Sequence, residues 1–265
     1  MKRSQLSQIW IYPVKSLGGI SVQSAKVLPK GLHYDRRWML VDQAGKFLTQ
    51  REIPLLSQFK TRIDQDKLVI QHHGDHVIVQ PGQAEGETIP QAQIWDDIVS
   101  TTEVSAEHSK WFSDRLGIDC KLVFFPEENP RAVEPDYKLN DDHTSLSDGY
   151  PFLIIGQASL DDLNGRLAEP VPINRFRPNF VFTGGDPYVE DSWQNFSIGD
   201  NTFVGVKPCA RCIMTTINHE TGERKSEPLK TLSTYRTRNN KVYFGQNALA
   251  VKADVVSVGD LITVL

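Results

Sequence analysis

The stretch "RRWMLVDQAGKFLTQRE", Arg36 to Glu52, decides the fold class. Two apolar runs, around Trp38–Val41 and Phe47–Leu48, flank Asp42-Gln43-Ala44-Gly45. A short polar turn with Gly between two apolar runs specifies a β-hairpin, because Gly accepts the backbone conformations a tight turn needs. "KLVIQHHGDHVIVQPG", Lys67 to Gly82, repeats the pattern with its turn near His73-Gly74-Asp75. His72 and His73, read as neighbours in a strand, are expected on opposite faces. Upstream, "SQIWIYPVKS" reads as a strand ended by Pro13, and Ile20, Val22 and Val27 alternate in the next run. Downstream of Phe180, "NFVFTGG", "NFSIGDNTFVGVKP", "CIMTTIN", "KVYFGQNALAV" and "DLITVL" read as short strands. Strands at this spacing with Gly turns predict a mainly β protein, barrel or sandwich, with few helices.

Two segments carry helical patterning instead. "SAEHSKWFSDRLGI" offers Ser105 as N-cap, Trp111, Phe112 and Leu116 on one side, and Gly117 as the stop. "GQASLDDLNGRLAEP" offers Ser159 as a cap, a Leu160, Leu163, Leu167 stripe and Pro170 as the end. Both stripes are expected to be core. The Pro- and Asp-rich run between them, "PEENPRAVEPDYKLNDDHTSLSDGYP", has no periodicity, and a loop of that length is functional or joins two lobes. We place the boundary near Phe125, giving an N-terminal β module over 1–125 and a second domain over 126–265, with segments crossing between them.

Hydrophobic residues are 39% and charged residues 23% of the 265, with a net charge of −4. That is an ordinary soluble composition with no global attraction for nucleic acid or anionic membranes. No run approaches the roughly 20 apolar residues that span a bilayer. The N-terminus has no apolar run of signal-peptide length, so the expectation is a cytoplasmic protein with no membrane and no nucleic-acid partner. Three cysteines fall short of the four ligands of a typical iron–sulfur cluster, so none is expected in this chain.

Two of those cysteines lie in "KPCARCIMTT", Lys207 to Thr216. A dithiol oxidoreductase places such a pair at a helix N-terminus, whereas β-branched "IMTTI" reads as a strand. A structural zinc needs four ligands, and no second pair is spaced to supply them. The plain reading is that one or both cysteines are small buried hydrophobes.

The basic turns are more telling. Lys15-Ser16 precede Gly18-Gly19, where backbone N–H groups can approach an anion. Arg36 and Arg37 begin a strand and diverge. Arg175, Arg177 and Asn179 of "NRFRPNF" share a face if the segment is extended, a set suited to a phosphate or a heterocycle edge. Acidic candidates are Asp148 in "SDGYP" and Glu190-Asp191 beside Trp193.

Together these stretches resemble a known family. "IYPVKSLGG" followed by "GLHYDRRWMLVDQAGKFLTQRE" is similar to the N-terminal β-barrel module that accompanies MOSC domains. "YPFLIIGQASLDDLN", "RFRPNFVFTGGDPYVEDSW", "CARCIMTTINHETGERKSEPLKTL" and "FGQNALAV" are similar to the MOSC domain itself. The resemblance implies a MOSC β-barrel preceded by a smaller barrel-like module, and a molybdenum cofactor. It assigns the metal thiolate, and hence the catalytic position, to Cys212, with Arg211 facing the pterin or its phosphate and Cys209 not a ligand. Lys15, Ser16 and Arg36 are implied at the phosphate, and Arg177 and Asn179 at the pterin. The backbone of Asp148, Gly149 and Tyr150 lines the site. So do Ala210 and Asn247, where the animal enzymes carry serine and tyrosine. The implied activity is reduction of small N-hydroxylated compounds, with electrons from a separate ferredoxin-like or flavin-dependent donor. Asp191 or Glu190 is a candidate proton donor. The alternative that the resemblance leaves open is a sulfur or cofactor carrier using a cysteine persulfide.

Overall fold

The computed structural model describes residues 3–265. Seven strands form a closed ring: β1 (Ser4–Ile11), β2 (Phe152–Gly156), β3 (Phe180–Thr183), β4 (Asn195–Ile198), β5 (Asn201–Arg211), β6 (Lys241–Lys252) and β7 (Leu261–Val264). Round the ring the order is β1, β3, β2, β6, β5, β4, β7 and back to β1. A ring with an odd number of strands cannot alternate direction throughout. The one parallel pair is β2 with β3, in register Ile154 opposite Phe180.

Parallel neighbours need a long crossover, usually helical. Here it holds α2 (Gln157–Asn164) and a 3-10 turn, Ile173–Phe176. The barrel's geometry therefore delivers the Arg-rich "NRFRPN" segment to one end of the sheet. Alternating side chains fill the interior. Phe152, Phe180, Phe196 and Phe203 are all buried, and Phe152 stacks on Phe180 at 5.6 Å.

Between β1 and β2 lies the half-barrel module. Trp38–Val41 pairs with Lys121–Phe124, which continues to Asp97–Glu103 and Thr88–Ile94. A second sheet joins Lys60–Asp64, Lys67–His72 and Asp75–Val79. The helix α1 (Ala106–Leu116) closes this core, with Phe112 stacked on Phe59 at 5.4 Å. Ser105 caps it by accepting from the His108 N–H, and Gly117 ends it at φ 67°. The sheets do not part at a single chain position. Ser4–Ile11 belongs to the barrel, and Val255–Ser257 returns to pair with Ser24–Leu28.

The opening hairpin forms, with Gly45 at φ 82°, but among the described residues its two arms share a single bridge, Val41 to Phe47, while Lys46 bridges to Gln93 instead. The arm peels away and carries Thr49–Arg51 toward the barrel. Four local expectations are corrected. His73 is in the turn at φ 46°, so its ring contacts His72 at 4.2 Å rather than facing away. Ser159 does not cap α2, because its hydroxyl donates to buried Glu190 at 2.8 Å and accepts from the Tyr188 N–H. The helix stops at Asn164, well before Pro170, where the Asn164 amide binds both backbone groups of Val171 and turns the chain. "IMTT" is a 3-10 turn, not a strand, since the Thr215 and Thr216 hydroxyls bond back to the carbonyls three residues earlier.

Candidate functional site

A cavity of about 370 Å³ opens between the half-barrel and one end of the barrel. Lys15, Ser16, Arg36, Asp148, Gly149, Tyr150, Arg177, Asn179, Ala210, Arg211, Cys212 and Asn247 all line it. These are all the cofactor and thiolate positions named from the sequence, brought together from both modules.

The Lys15-Ser16 turn is built by the opening hairpin. The Lys15 N–H donates to Trp38, the Ser16 hydroxyl to the Leu48 carbonyl, and the Gln50 amide to the Ser16 carbonyl. The Lys15 ammonium is buried and donates to the Leu146 carbonyl at 2.9 Å and to Asp148 at 2.6 Å. Burial pushes its pKa down to about 8, against the opposing pull of Asp148.

Arg36 and Arg177 form a pair. Both backbones are left-handed, at φ 51° and 54°. Their guanidinium groups lie 4.4 and 4.2 Å from the Tyr12 ring centroid. Arg36 donates to Asp35, to the Asn179 side-chain oxygen and to the Arg177 carbonyl, while Arg177 donates to the Leu17 carbonyl. Burial and the neighbouring Arg36 lower the Arg177 pKa to about 10. Two crowded cations sharing one buried carboxylate, Asp35, are arranged to receive an anion. Arg37 diverges to Glu127 and the Lys30 and Asp35 carbonyls.

"NRFRPN" is not extended, which corrects the shared-face expectation. Arg175 lies in the 3-10 turn and donates to the Thr215 carbonyl, although it still borders the cavity. Asn179 is buried with its amide already engaged. Its oxygen accepts from the Leu153 N–H and Arg36, and its nitrogen donates to Trp10 and Asp35. It joins the two modules and holds Arg36.

The cysteine pair is split. Strand β5 ends at Arg211, so Cys209 lies within it and Cys212 just beyond. Both thiols are free. Arg211 donates to the Cys209 sulfur at 2.9 Å and to the Phe176 carbonyl, and its buried Nε has no partner among the described residues. The Cys212 sulfur is met instead by Arg51, at 3.3 Å. Arg51 also pairs with Asp148 at 3.5 Å and lies 4.3 Å over the Trp95 ring. It was not among the residues named from the sequence. The signal available was its place at the end of the opening hairpin, two residues past Thr49. Lys15 and Arg51 lower the pKa of the Asp148 carboxyl, whose side chain stays 59% exposed to the cavity mouth. The opposite wall carries Glu134, which accepts from Tyr150 and Lys207, both at 2.7 Å. Glu190 and Asp191 do not border the cavity. Glu190 is buried against Gly156 and Ser159, and Asp191 pairs with Arg236. They are not positioned to deliver a proton there.

Lysine and arginine outnumber the lining carboxylates, which are Glu134 and Asp148 alone. A Cβ on Gly149 would meet nothing within 4 Å, so that backbone faces open space. Residues 3–119 match the MOSC N-terminal beta barrel domain and residues 141–263 the MOSC domain. The chain is 32% identical to mitochondrial amidoxime-reducing component 1 of Mus musculus, over 98% of this chain and 82% of that protein.

The chain belongs to the MOSC family.

The human amidoxime-reducing component 1 is 33% identical over the same shares. Molybdenum cofactor sulfurase of Oryza sativa is 32% identical over 91% of this chain, which spans only 32% of that longer protein. Among the described residues no helix is long and apolar enough to cross a membrane. The sulfurase is named for the molybdenum cofactor, and the residues of the cavity suit such a group. The cavity's cations and the orphaned Arg211 Nε suit a phosphorylated pterin, and the Cys212 thiol is a soft ligand. No group of three or more His, Cys, Asp or Glu able to hold a metal occurs among the described residues. A metal there would depend on ligands that the cofactor brings.

Proposed function

We propose that this MOSC protein is a molybdenum-cofactor-dependent reductase of N-hydroxylated compounds: amidoximes, N-hydroxylated bases and hydroxylamines. It works in the cytoplasm with electrons from a separate donor protein. The observation that carries this reading is the Cys212 thiol, which with Cys209 borders a cation-lined cavity whose other residues match the phosphate and pterin contacts implied by the family. In this reading Lys15, Ser16 and Arg36 hold the phosphate, Arg177 and Arg211 the pterin edge, and Cys212 the metal. Asn179 keeps Arg36 in place. Arg51 orients the Cys212 sulfur and balances its charge. The bound molybdenum would supply two-electron chemistry for cleaving an N–O bond, with potential and access set by the surrounding residues.

The test is to purify the protein from a host that makes molybdenum cofactor, quantify metal and pterin, and assay benzamidoxime with a chemical reductant. Stoichiometric cofactor with turnover is expected; a metal-loaded sample without turnover overturns the reading. The second reading, a persulfide carrier, has support in the Arg51 contact, which would also favour an anionic sulfur chain on Cys212. Sulfane sulfur without metal in the purified protein would select it.

A further inference from the structure

A second hollow, of about 220 Å³, adjoins the cofactor cavity and shares Thr49 and Arg51 with it. Its apolar walls are Phe47 and Trp95, packed edge to face at 4.8 Å. Trp95 sits at the tip of the hairpin that joins Thr88–Ile94 to Asp97–Glu103. Its backbone is left-handed, at φ 56°. That conformation is unusual for a bulky side chain and persists only where surroundings impose it. Here the indole N–H reaches Asp148 at 3.3 Å, and Arg51 lies over the ring. So the strained residue leans toward the reactive end of the cavity, one arginine away from the Cys212 sulfur.

The hollow's charges give its preference. Lys46 pairs with Glu52 at 3.5 Å, and Arg51 with Asp148 at 3.5 Å. Asp96, also in its wall, makes no ion pair or side-chain hydrogen bond among the described residues. Asp148 also pairs with Lys15 at 2.6 Å, so the hollow's own lining is balanced, Lys46 and Arg51 against Glu52 and Asp96, and Asp96 is the carboxylate left without a partner beside the indole. Aromatic faces and a free carboxylate together suit a flat aromatic group carrying a cationic or hydrogen-bond-donating head.

We propose that this hollow is the substrate seat, holding the planar aryl part of an aryl amidine or its N-hydroxylated form against Trp95 and Phe47. The half-barrel module then selects the substrate, and the barrel carries the thiol. This deepens the proposed reductase function and rests on it for the N-hydroxylated partner.

Benzamidine is the probe, because it is already reduced. Calorimetric titration of the full chain, purified with cofactor, is expected to show one site. Trp95→Ala should weaken it about tenfold and Asp96→Asn several-fold, while Trp95→Phe stays near wild type. Asp96 is exposed, so Asp96→Asn folds whatever becomes of Trp95→Ala. In turnover, the ratio of kcat/KM for benzamidoxime to that for acetamidoxime should fall about tenfold in Trp95→Ala, through KM. No benzamidine binding by wild type, or equal affinity in wild type, Trp95→Ala and Asp96→Asn, overturns the seat. Benzamidine binding without any reduction leaves the seat standing and removes the reductase reading. Reduction with an unchanged substrate ratio does the reverse.

Discussion

Inside the barrel, Phe152, Phe180, Phe196 and Phe203 sit ring to ring at 5.5 to 5.7 Å, with no exposure above 1%. At the barrel's end the cavity gathers Lys15, Arg36, Arg51, Arg177 and Arg211 around little countercharge. The first region gains stability from every atom it buries. The second gives stability up, since burying Lys15 and crowding Arg36 against Arg177 both disfavour the charged forms. The difference teaches that the barrel is the part that holds and the seam between modules is the part that works. Substitutions should separate these two properties.

The sharpest separation is expected at the cysteines. Cys212→Ala should abolish metal retention and turnover while leaving the thermal midpoint nearly unchanged. Cys209→Ala should keep most activity. Metal analysis beside a melting curve checks both. The mirror image is Phe203→Ala, which should lose about 3–5 kcal/mol in denaturant unfolding, because a buried aromatic leaves a cavity that the ring of strands cannot collapse. Any surviving folded fraction should still bind cofactor.

Asn179 tests whether the two regions are separable at all. Its amide bonds β2, Trp10 of β1, Asp35 and Arg36 together. Asn179→Ala is expected to cost about 2–3 kcal/mol, from several buried partners left unmet, and to lower cofactor retention as well.

The smallest effect is a pH effect with opposite signs in the two states. In the cofactor-free fold the Lys15 pKa is lowered from 10.5 to about 8. Below 8 the ammonium is charged in both folded and unfolded chains, so its burial cost is fully present. Between about 8 and 10.5 only the unfolded chain keeps that proton, so stability rises with pH across this window. Retention of an anionic cofactor should fall over the same window as the charge is lost. Unfolding of the empty protein and release of pterin at pH 7 and 9.5 give the two readings, and Lys15→Met should flatten both.

Much of this was legible in the sequence because the informative signals were local. The turns at Gly45 and Gly74, the Ser105 cap and the Gly117 stop each act within a few residues. The basic turns around Lys15, Arg36 and Arg177 marked the cavity for the same reason. What stayed hidden depended on distant partners. Arg51 reaches Cys212 across 161 residues of sequence, and Ser159 gives its hydroxyl to Glu190 instead of its own helix. "CIMTTIN" has strand composition, yet its threonines find closer partners in their own turn. The Trp95 hollow joins residues about 45 apart, Lys46–Glu52 and Gln93–Asp96, so no single stretch of the half-barrel sequence announces it.

The pairing of β1 with β7, Ser4 opposite Ile262, brings opposite ends of the sequence side by side. During synthesis the ring therefore cannot shut until residue 264 has left the ribosome. Ile9–Ile11 pairs early with Ile20–Val22 and the other edge of the strand takes Phe180–Thr183, so the part that waits for the last strand is Ser4–Gln5. Such long-range closure is slow, and that short edge stays open to pairing with another chain until it closes. Chaperone dependence should be timed by this last seam, whereas every residue lining the cavity that Cys212 borders, from Lys15 to Asn247, has been made before it closes.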